Sequence, residues 1–328
     1  MKNKLLFQII FVFIFSACSD FSGNEDEVEA SLKPGPVAKQ KKEAEEEEEE
    51  EEEATRTYYD LNGITFGNNT FVAVGDKGTV RTSSDDGASW DNGTRGTTSN
   101  LNEIVYGDST FVAVGESGTH LYSRDDGATW DDGTWTPTAE ITGVAFGNNT
   151  FVGVSSSYLT VSTDNGSNWS VGCSGVYVHD VTFGNSKFVA SGSVGAIIHS
   201  DNGSGCSTGN SGTNTHTLYG ITFGNNRFFS VGSSGKLIIS ADNGDTFVDK
   251  TSPTTITLYS TVFGNNTFVA VGPKAVVVSD SVGNSAQITE NTLSFNDVAF
   301  GNGVFVAVGN DEIIYTSTDG DTWTKVYP

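Results

Sequence analysis

Seven near-identical phrases, each opening on an aromatic-Gly pair, predict an all-β chain folded as a seven-bladed β-propeller of four-stranded antiparallel blades. The aromatics are Phe66, Tyr106, Phe146, Phe183, Phe223, Phe263 and Phe300, separated by 40, 40, 37, 40, 40 and 37 residues. A period near 40, built from short apolar runs and Gly/Asn/Asp turns, marks one small sheet per repeat, stacked so that neighbours bury each other's faces. A second, turn-rich motif recurs in step with the first, and a low-complexity acidic segment precedes the array. The chain therefore divides into a lipoprotein signal peptide (1–18), a disordered acidic linker (19–56) and the propeller (57–328).

Lys2 and Lys4 precede an apolar run from Leu5 to Phe15, interrupted only by Gln8. Such a run is too short for the roughly 20 residues that a membrane-spanning helix needs, and it reads as an export signal. Phe15-Ser16-Ala17-Cys18 resembles a bacterial lipobox, which makes Cys18 the candidate lipid-modified first residue of the mature protein; plain secretory cleavage is the alternative. Two or more acyl chains anchor stably to a membrane. The expected location is the bacterial cell envelope, on its extracytoplasmic side. From Ser19 to Arg56 aromatic and β-branched residues are nearly absent, Pro34 and Pro36 occur, and Glu45 to Glu53 are nine consecutive glutamates. That composition predicts a self-repelling tether, with local helix or an acidic docking tract as the other readings.

The net charge is −24, and Thr55 to Pro328 alone carries 26 acids against 11 bases. Nucleic-acid binding needs a basic footprint, so it is excluded as an expectation. Besides Cys18 there are only Cys173 and Cys206, which in an exported protein are candidates for a disulfide, with two free buried thiols as the alternative. The four histidines show no metal-ligand spacing, so no metal and no cofactor is expected.

The second repeat shows the blade most clearly. Leu101 to Tyr106 reads as the inner strand, Gly107-Asp108-Ser109 as a tight turn, Phe111 to Val114 as the second strand and Gly115 to Gly118 as its turn. Thr119 to Ser123 is the third strand, and Trp130 begins the fourth. Between strands three and four, Ser123-Arg124-Asp125-Asp126-Gly127-Ala128-Thr129-Trp130 resembles the Asp-box of sialidase-like and sortilin-like propellers (the BNR repeat). The spacing recurs at Ser83/Asp85/Gly87/Trp90, Ser162/Asp164/Gly166/Trp169 and Ser240/Asp242/Gly244/Phe247. Three copies depart: His199 and Cys206 stand for Ser and Trp in blade four, Ser281 and Ala286 for Asp and the aromatic in blade six, and Thr316 and Thr318 for Ser and Asp in blade seven. Asp and Ser close the hairpin on backbone N–H groups, Gly supplies a left-handed position and the aromatic packs between strands. The boxes are therefore read as structural, since each offers too few carboxylates for calcium.

Phe66 to Gly75, Phe-Gly-Asn-Asn-Thr-Phe-Val-Ala-Val-Gly, followed by the box, also resembles the photosystem II stability and assembly factor family across Thr57 to Pro328. The resemblance implies a propeller that binds a partner or aids assembly without catalysis. The photosynthetic members use basic surfaces, whereas this chain is acidic.

Four residues before each repeat aromatic stand Asn62, Asn102, Thr142, His179, Tyr219, Tyr259 and Asn296. The next position holds Gly63, Glu103, Gly143, Asp180, Gly220, Ser260 and Asp297. This double ring varies while the strand framework does not, and topology delivers it to the mouth of the central channel. The candidate binding residues are Asn62, Asn102, Glu103, Thr142, His179, Asp180, Tyr219, Tyr259, Asn296 and Asp297, together with Trp135, the one tryptophan outside a box. Polar and aromatic groups around a shallow mouth suit a glycan or a protein; capping of the channel with water is the bland reading. Sialidase chemistry needs three arginines around a carboxylate, and the chain has only Arg56, Arg81, Arg95, Arg124 and Arg227. The sequence is thus read as a lipid-anchored, monomeric, non-enzymatic binding scaffold for protein or glycan. A glycoside-processing enzyme using two of Glu103, Asp180 and Asp297 is the alternative.

Overall fold

The computed structural model describes residues 57–134, 138–175, 177–288 and 294–327. The expected export signal with Cys18, the expected acidic linker and Trp135 lie outside them. Seven sheets follow one another, each made of four consecutive antiparallel strands. The inner strands are Leu61–Gly67, Leu101–Gly107, Gly143–Gly147, Val178–Gly184, Leu218–Gly224, Ser260–Gly264 and Phe295–Gly301. The outer strands are short in most blades, only Asp91–Asn92 in the first and Asp131–Asp132 in the second. Trp130 precedes that outer strand instead of starting it, because the box turn holds it outside the ladder.

The second strand is apolar on both faces for a geometric reason. Thr70–Gly75 is buried at every position, since each blade is covered by a neighbour on both sides. Phe71, Phe111, Phe151, Phe188, Phe228, Phe268 and Phe305 form the repeated centre of these contacts, each at most 1% exposed. Every one packs on the aromatic of its own inner strand at 4.6–4.8 Å between centroids.

The aromatic-Gly pair explains the stacking of blades. A Cβ on Gly67 would lie 2.0 Å from the Tyr106 ring of the next blade, and one on Gly107 would lie 2.1 Å from Phe146. The same fit runs round the molecule to Gly301, where a Cβ would lie 2.1 Å from Phe66. Each glycine is the seat for the following blade's aromatic. The Asn after it supplies a polar clamp: Asn68 Nδ2 donates to the Asp126 carboxylate at 2.9 and 3.0 Å, and Asn302 Nδ2 to Asp86 at 2.9 Å. The clamp joins a blade's first turn to the next blade's box turn.

No blade mixes strands from the two ends of the chain, so the ring closes by side-to-side packing. A buried ion pair marks the seam. Arg81 Nη2 and Nε of blade one reach Glu312 Oε2 of blade seven at 2.5 and 3.1 Å, and Tyr59 N–H donates to Glu312 Oε1 at 3.3 Å. Glu312 is fully buried and left-handed at φ 58, a position filled by Gly78, Gly118, Gly195 and Gly235 in other blades. Sequence reading did not single out either residue.

The box turns follow the expected chemistry, with corrections in three blades. Ser123 Oγ donates to Asp125 Oδ1 and accepts Gly127 N–H, while Thr129 donates to Asp125 from both its N–H and its hydroxyl. In blades four and seven the turn is one residue shorter, so Ser200 and Ser317 take the serine role and accept Gly203 N–H and Gly320 N–H. Asp319, not Thr318, is then the turn aspartate. In blade six Asp280 takes that part, accepting Val282 and Asn284 N–H. A fixed spacing had misplaced the serine of blades four and seven, and the aspartate of blades six and seven, by one residue. Cys173 and Cys206, in neighbouring blades, form a disulfide with their Cα atoms 6.0 Å apart.

Candidate functional site

The first ring of variable residues reaches the channel mouth by a shared backbone device. In blades one, two, four, five and seven the inner strand carries a β-bulge, between Leu61 and Gly63 in the first and at the equivalent places in the others. The bulged residues are Asn62, Asn102, His179, Tyr219 and Asn296, and a bulge re-aims a side chain out of the ladder. Thr142 and Tyr259 stand just before the inner strands of blades three and six. All seven, with Glu103, Asp180, Ser260 and Asp297, line one cavity of about 250 Å³.

Four of the seven first-ring residues hold blades together. Asn62 Nδ2 donates to Leu101 O, Asn102 Nδ2 to Ile141 O and Asn296 Nδ2 to Leu61 O, at 2.9–3.0 Å, each crossing to the next blade. Thr142 donates to His179 O at 2.7 Å. The other arc is aromatic. His179 and Tyr219 lie 5.6 Å apart between centroids, and Tyr219 and Tyr259 meet edge to face at 5.8 Å. Tyr259 is 39% exposed.

The second ring forms the floor. In blades one to six each glycine is followed by a larger residue in the next blade because the space is shared: a Cβ on Gly63 would lie 3.1 Å from Glu103 Oε1, and one on Gly143 would lie 3.0 Å from Asp180 Oδ1. The three carboxylates take up inner-strand N–H groups that point into the channel. Glu103 accepts Ile104 N–H at 2.8 Å; Asp180 accepts Val181 at 2.7 Å and, from the next blade, Ile221 at 2.8 Å. Asp297 accepts Ile64 N–H across the ring seam at 2.7 Å, and the Ser260 hydroxyl. Burial pushes Asp180 up to about 7 and Asp297 up to about 6, while Glu103 is held well above its ordinary value by burial and by the other two carboxylates. His179 is pushed down by burial and so stays neutral at pH 7.

Two residues of this face escaped sequence reading. Val194 is 65% exposed in the turn after the second strand of blade four, and Tyr177 beside it is also 65% exposed. Ser193 ties them to the mouth, its N–H bonded to Tyr177 O and its hydroxyl 2.8 Å from His179 Nε2. Val194 sits at φ 55, where other blades use Lys77, Ser117, Ser234 or Asp311. A β-branched residue there is strained by about 1–3 kcal/mol. Its signal in the sequence was one apolar residue at a polar turn position.

None of the described arginines lines the mouth. Arg81 is held by Glu312, Arg95 lies over Tyr59 at 5.1 Å, and Arg124 lies over Tyr122 at 4.5 Å. Arg227 begins the second strand of blade five. Among the described residues no group of three or more His, Cys, Asp and Glu is arranged to hold a metal ion.

No protein-family model matches the sequence, and no curated protein matches it. Solved structures do match in fold. A structure of YCF48 bound to D1 peptide is 18% identical, covers 80% of this chain and 92% of that one, and has a TM-score of 0.63. YCF48 from Cyanidioschyzon merolae is 17% identical over 79% and 95%, also at 0.63. The WD40 β-propeller domain of Doa1 is 16% identical over 80% and 93%, at 0.64. These likenesses establish the seven-bladed propeller.

Proposed function

We propose that the chain is a non-catalytic binding scaffold, anchored by lipid on Cys18 to a membrane of the bacterial envelope, that takes a protein partner at the channel mouth. The observation that carries this reading is the division of labour in the first ring. One arc is committed to blade-to-blade hydrogen bonds, while the aromatic arc of His179, Tyr219 and Tyr259 faces the cavity. Rim aromatics contribute contact area at low entropy cost and are typical centres of binding energy. Support from outside the chain comes from a similar fold, YCF48, solved with a D1 peptide bound. The acidic linker fits a spacer that holds the propeller away from the membrane.

A glycan is the second ligand class, since Tyr219 and Tyr259 offer faces for a sugar ring. A glycosidase is the second functional class, because three carboxylates with raised pKa converge on one floor. Against it, Asp180 and Asp297 already accept two N–H or O–H donors each, an arrangement that fixes a carboxylate in place. A glycan array and an envelope pull-down with the 57–328 fragment, run beside the Tyr219→Ala/Tyr259→Ala variant, test the reading. Loss of the captured ligand with an unchanged melt is expected; full retention refutes the mouth. Substrate turnover abolished by Glu103→Gln or Asp180→Asn would overturn the non-enzyme reading.

A further inference from the structure

The mouth face is chemically lopsided. Over blades seven, one and two its turns carry Asp311, Asp76 and Glu116, with Lys77 as a local offset. Over blades four to six it carries exposed apolar groups, Tyr177, Val194 and Tyr259, with Lys274 as an exposed cation in the turn of blade six. Between the two halves lies the carboxylate floor, reached past an aromatic wall. Val194 supplies the observation that packing leaves unexplained. Serine fills the same left-handed turn position at Ser117 and Ser234, so the turn does not require a strained, solvent-facing β-branched side chain. An apolar group held in strain at a rim, beside an exposed tyrosine and a cavity, marks a contact surface.

We propose that this face takes an extended segment of a partner protein in which a lysine or arginine enters the carboxylate pit and an adjacent apolar side chain lies on Val194 and Tyr177. The inference rests on the mouth being the binding site and adds the partner's chemistry. Charge complementarity selects a cation for the pit: Glu103, Asp180 and Asp297 meet there, no described arginine or lysine lines the cavity, and an entering cation favours the ionised form of carboxylates that burial otherwise keeps partly protonated. The faces of Tyr219 and Tyr259 suit the same group, because aromatic quadrupoles attract ammonium and guanidinium ions. The neutral His179 ring adds no opposing charge. An anionic or carboxylate-led segment would meet like charge on the floor and on the rim of blades seven, one and two.

Random peptides displayed on phage, N-acetylated when resynthesised, would be selected against the full-length protein and against the Tyr219→Ala/Tyr259→Ala variant. Clones lost with the variant are expected to carry Lys or Arg next to an aliphatic or aromatic residue. For the best peptide, replacing that Lys or Arg by Gln should weaken binding about tenfold or more, an effect matched by Val194→Ser in the protein. Val194→Ser restores the residue of two other blades, so its melt should be unchanged or higher while binding falls. Mouth-dependent clones that are acidic or neutral would overturn this inference and leave the mouth reading standing. Clones insensitive to both tyrosines would overturn both.

Discussion

Asp180 and Asp297 are held in the folded state with raised pKa, and the box aspartates with lowered pKa, so stability responds to pH from both sides. A carboxylic acid raised from 3.8 to about 7, as Asp180 is, contributes stability that is fully present below about 4 and lost as pH rises through about 7. Asp297 does the same up to about 6. Asp85, pulled down to about 2 by the Ser89 hydroxyl and N–H, contributes stability present above 3.8 and lost as pH falls toward 2. The melting temperature should therefore peak near pH 4 and fall as pH rises toward 7. Asp180→Asn should flatten the alkaline limb between about pH 4 and 7; an alkaline limb as steep as wild type in calorimetry would contradict the assignment. The seam pair makes a second residue-scale prediction. Arg81→Leu alone leaves the buried Glu312 carboxylate unpaired and should cost about 3–5 kcal/mol. Adding Glu312→Gly restores the combination found where blade two meets blade one, Leu121 and Gly78, and should recover most of that loss in urea titrations. Glu312 was legible only as a departure from glycine, which matters once the neighbour across the seam is known.

At the scale of the element, the box turn was readable because Ser, Asp, Gly and an aromatic act over eight residues of chain. The short turns of blades four and seven were misplaced because a spacing rule does not register a deleted residue, whereas the hydrogen bonds of Ser200 and Ser317 do. The aromatics are also less uniform than the motif suggests. Trp130 is half-buried, its indole N–H bonded to Gly127 O at 3.1 Å, while Trp169 is 8% exposed and packs, tilted, on His120 at 4.3 Å between centroids. A full 3–5 kcal/mol loss, the range for emptying a large buried site, is expected for Trp169→Ala, and about 1.5–3 for Trp130→Ala. Chemical unfolding that ranked them in the opposite order would count against the packing described. The disulfide spans 33 residues and ties two neighbouring blades. Replacing both cysteines by alanine should cost on the order of 3–4 kcal/mol, and a thiol count on unreduced, denatured protein should find neither Cys173 nor Cys206 reactive.

At the scale of the whole molecule, the ring was legible because each aromatic-Gly pair repeats, and a repeat that buries its face only against a neighbour demands an array. The place of the variable double ring was legible as well, since blade topology alone delivers it to one cavity. What each member does there was not. The amides of Asn62, Asn102 and Asn296 find their acceptors in the next blade, and the carboxylates find theirs on N–H groups of the channel wall, contacts that no local pattern encodes. Gly301→Ala should open the seam, because a Cβ would lie 2.1 Å from the Phe66 ring, and the ring should then lose stability as a unit in thermal melts.

On the function proposed above, the molecule binds its partner through the channel mouth and not through the box turns on the opposite face. Photo-cross-linking in intact cells tests this, with p-benzoylphenylalanine in place of Tyr259 at the mouth or of Asp126, a half-buried box residue on the far face. The account predicts a discrete adduct of protein partner and propeller from position 259, weakened by Val194→Ser, and none from position 126. An adduct from position 126 with none from 259 would contradict it.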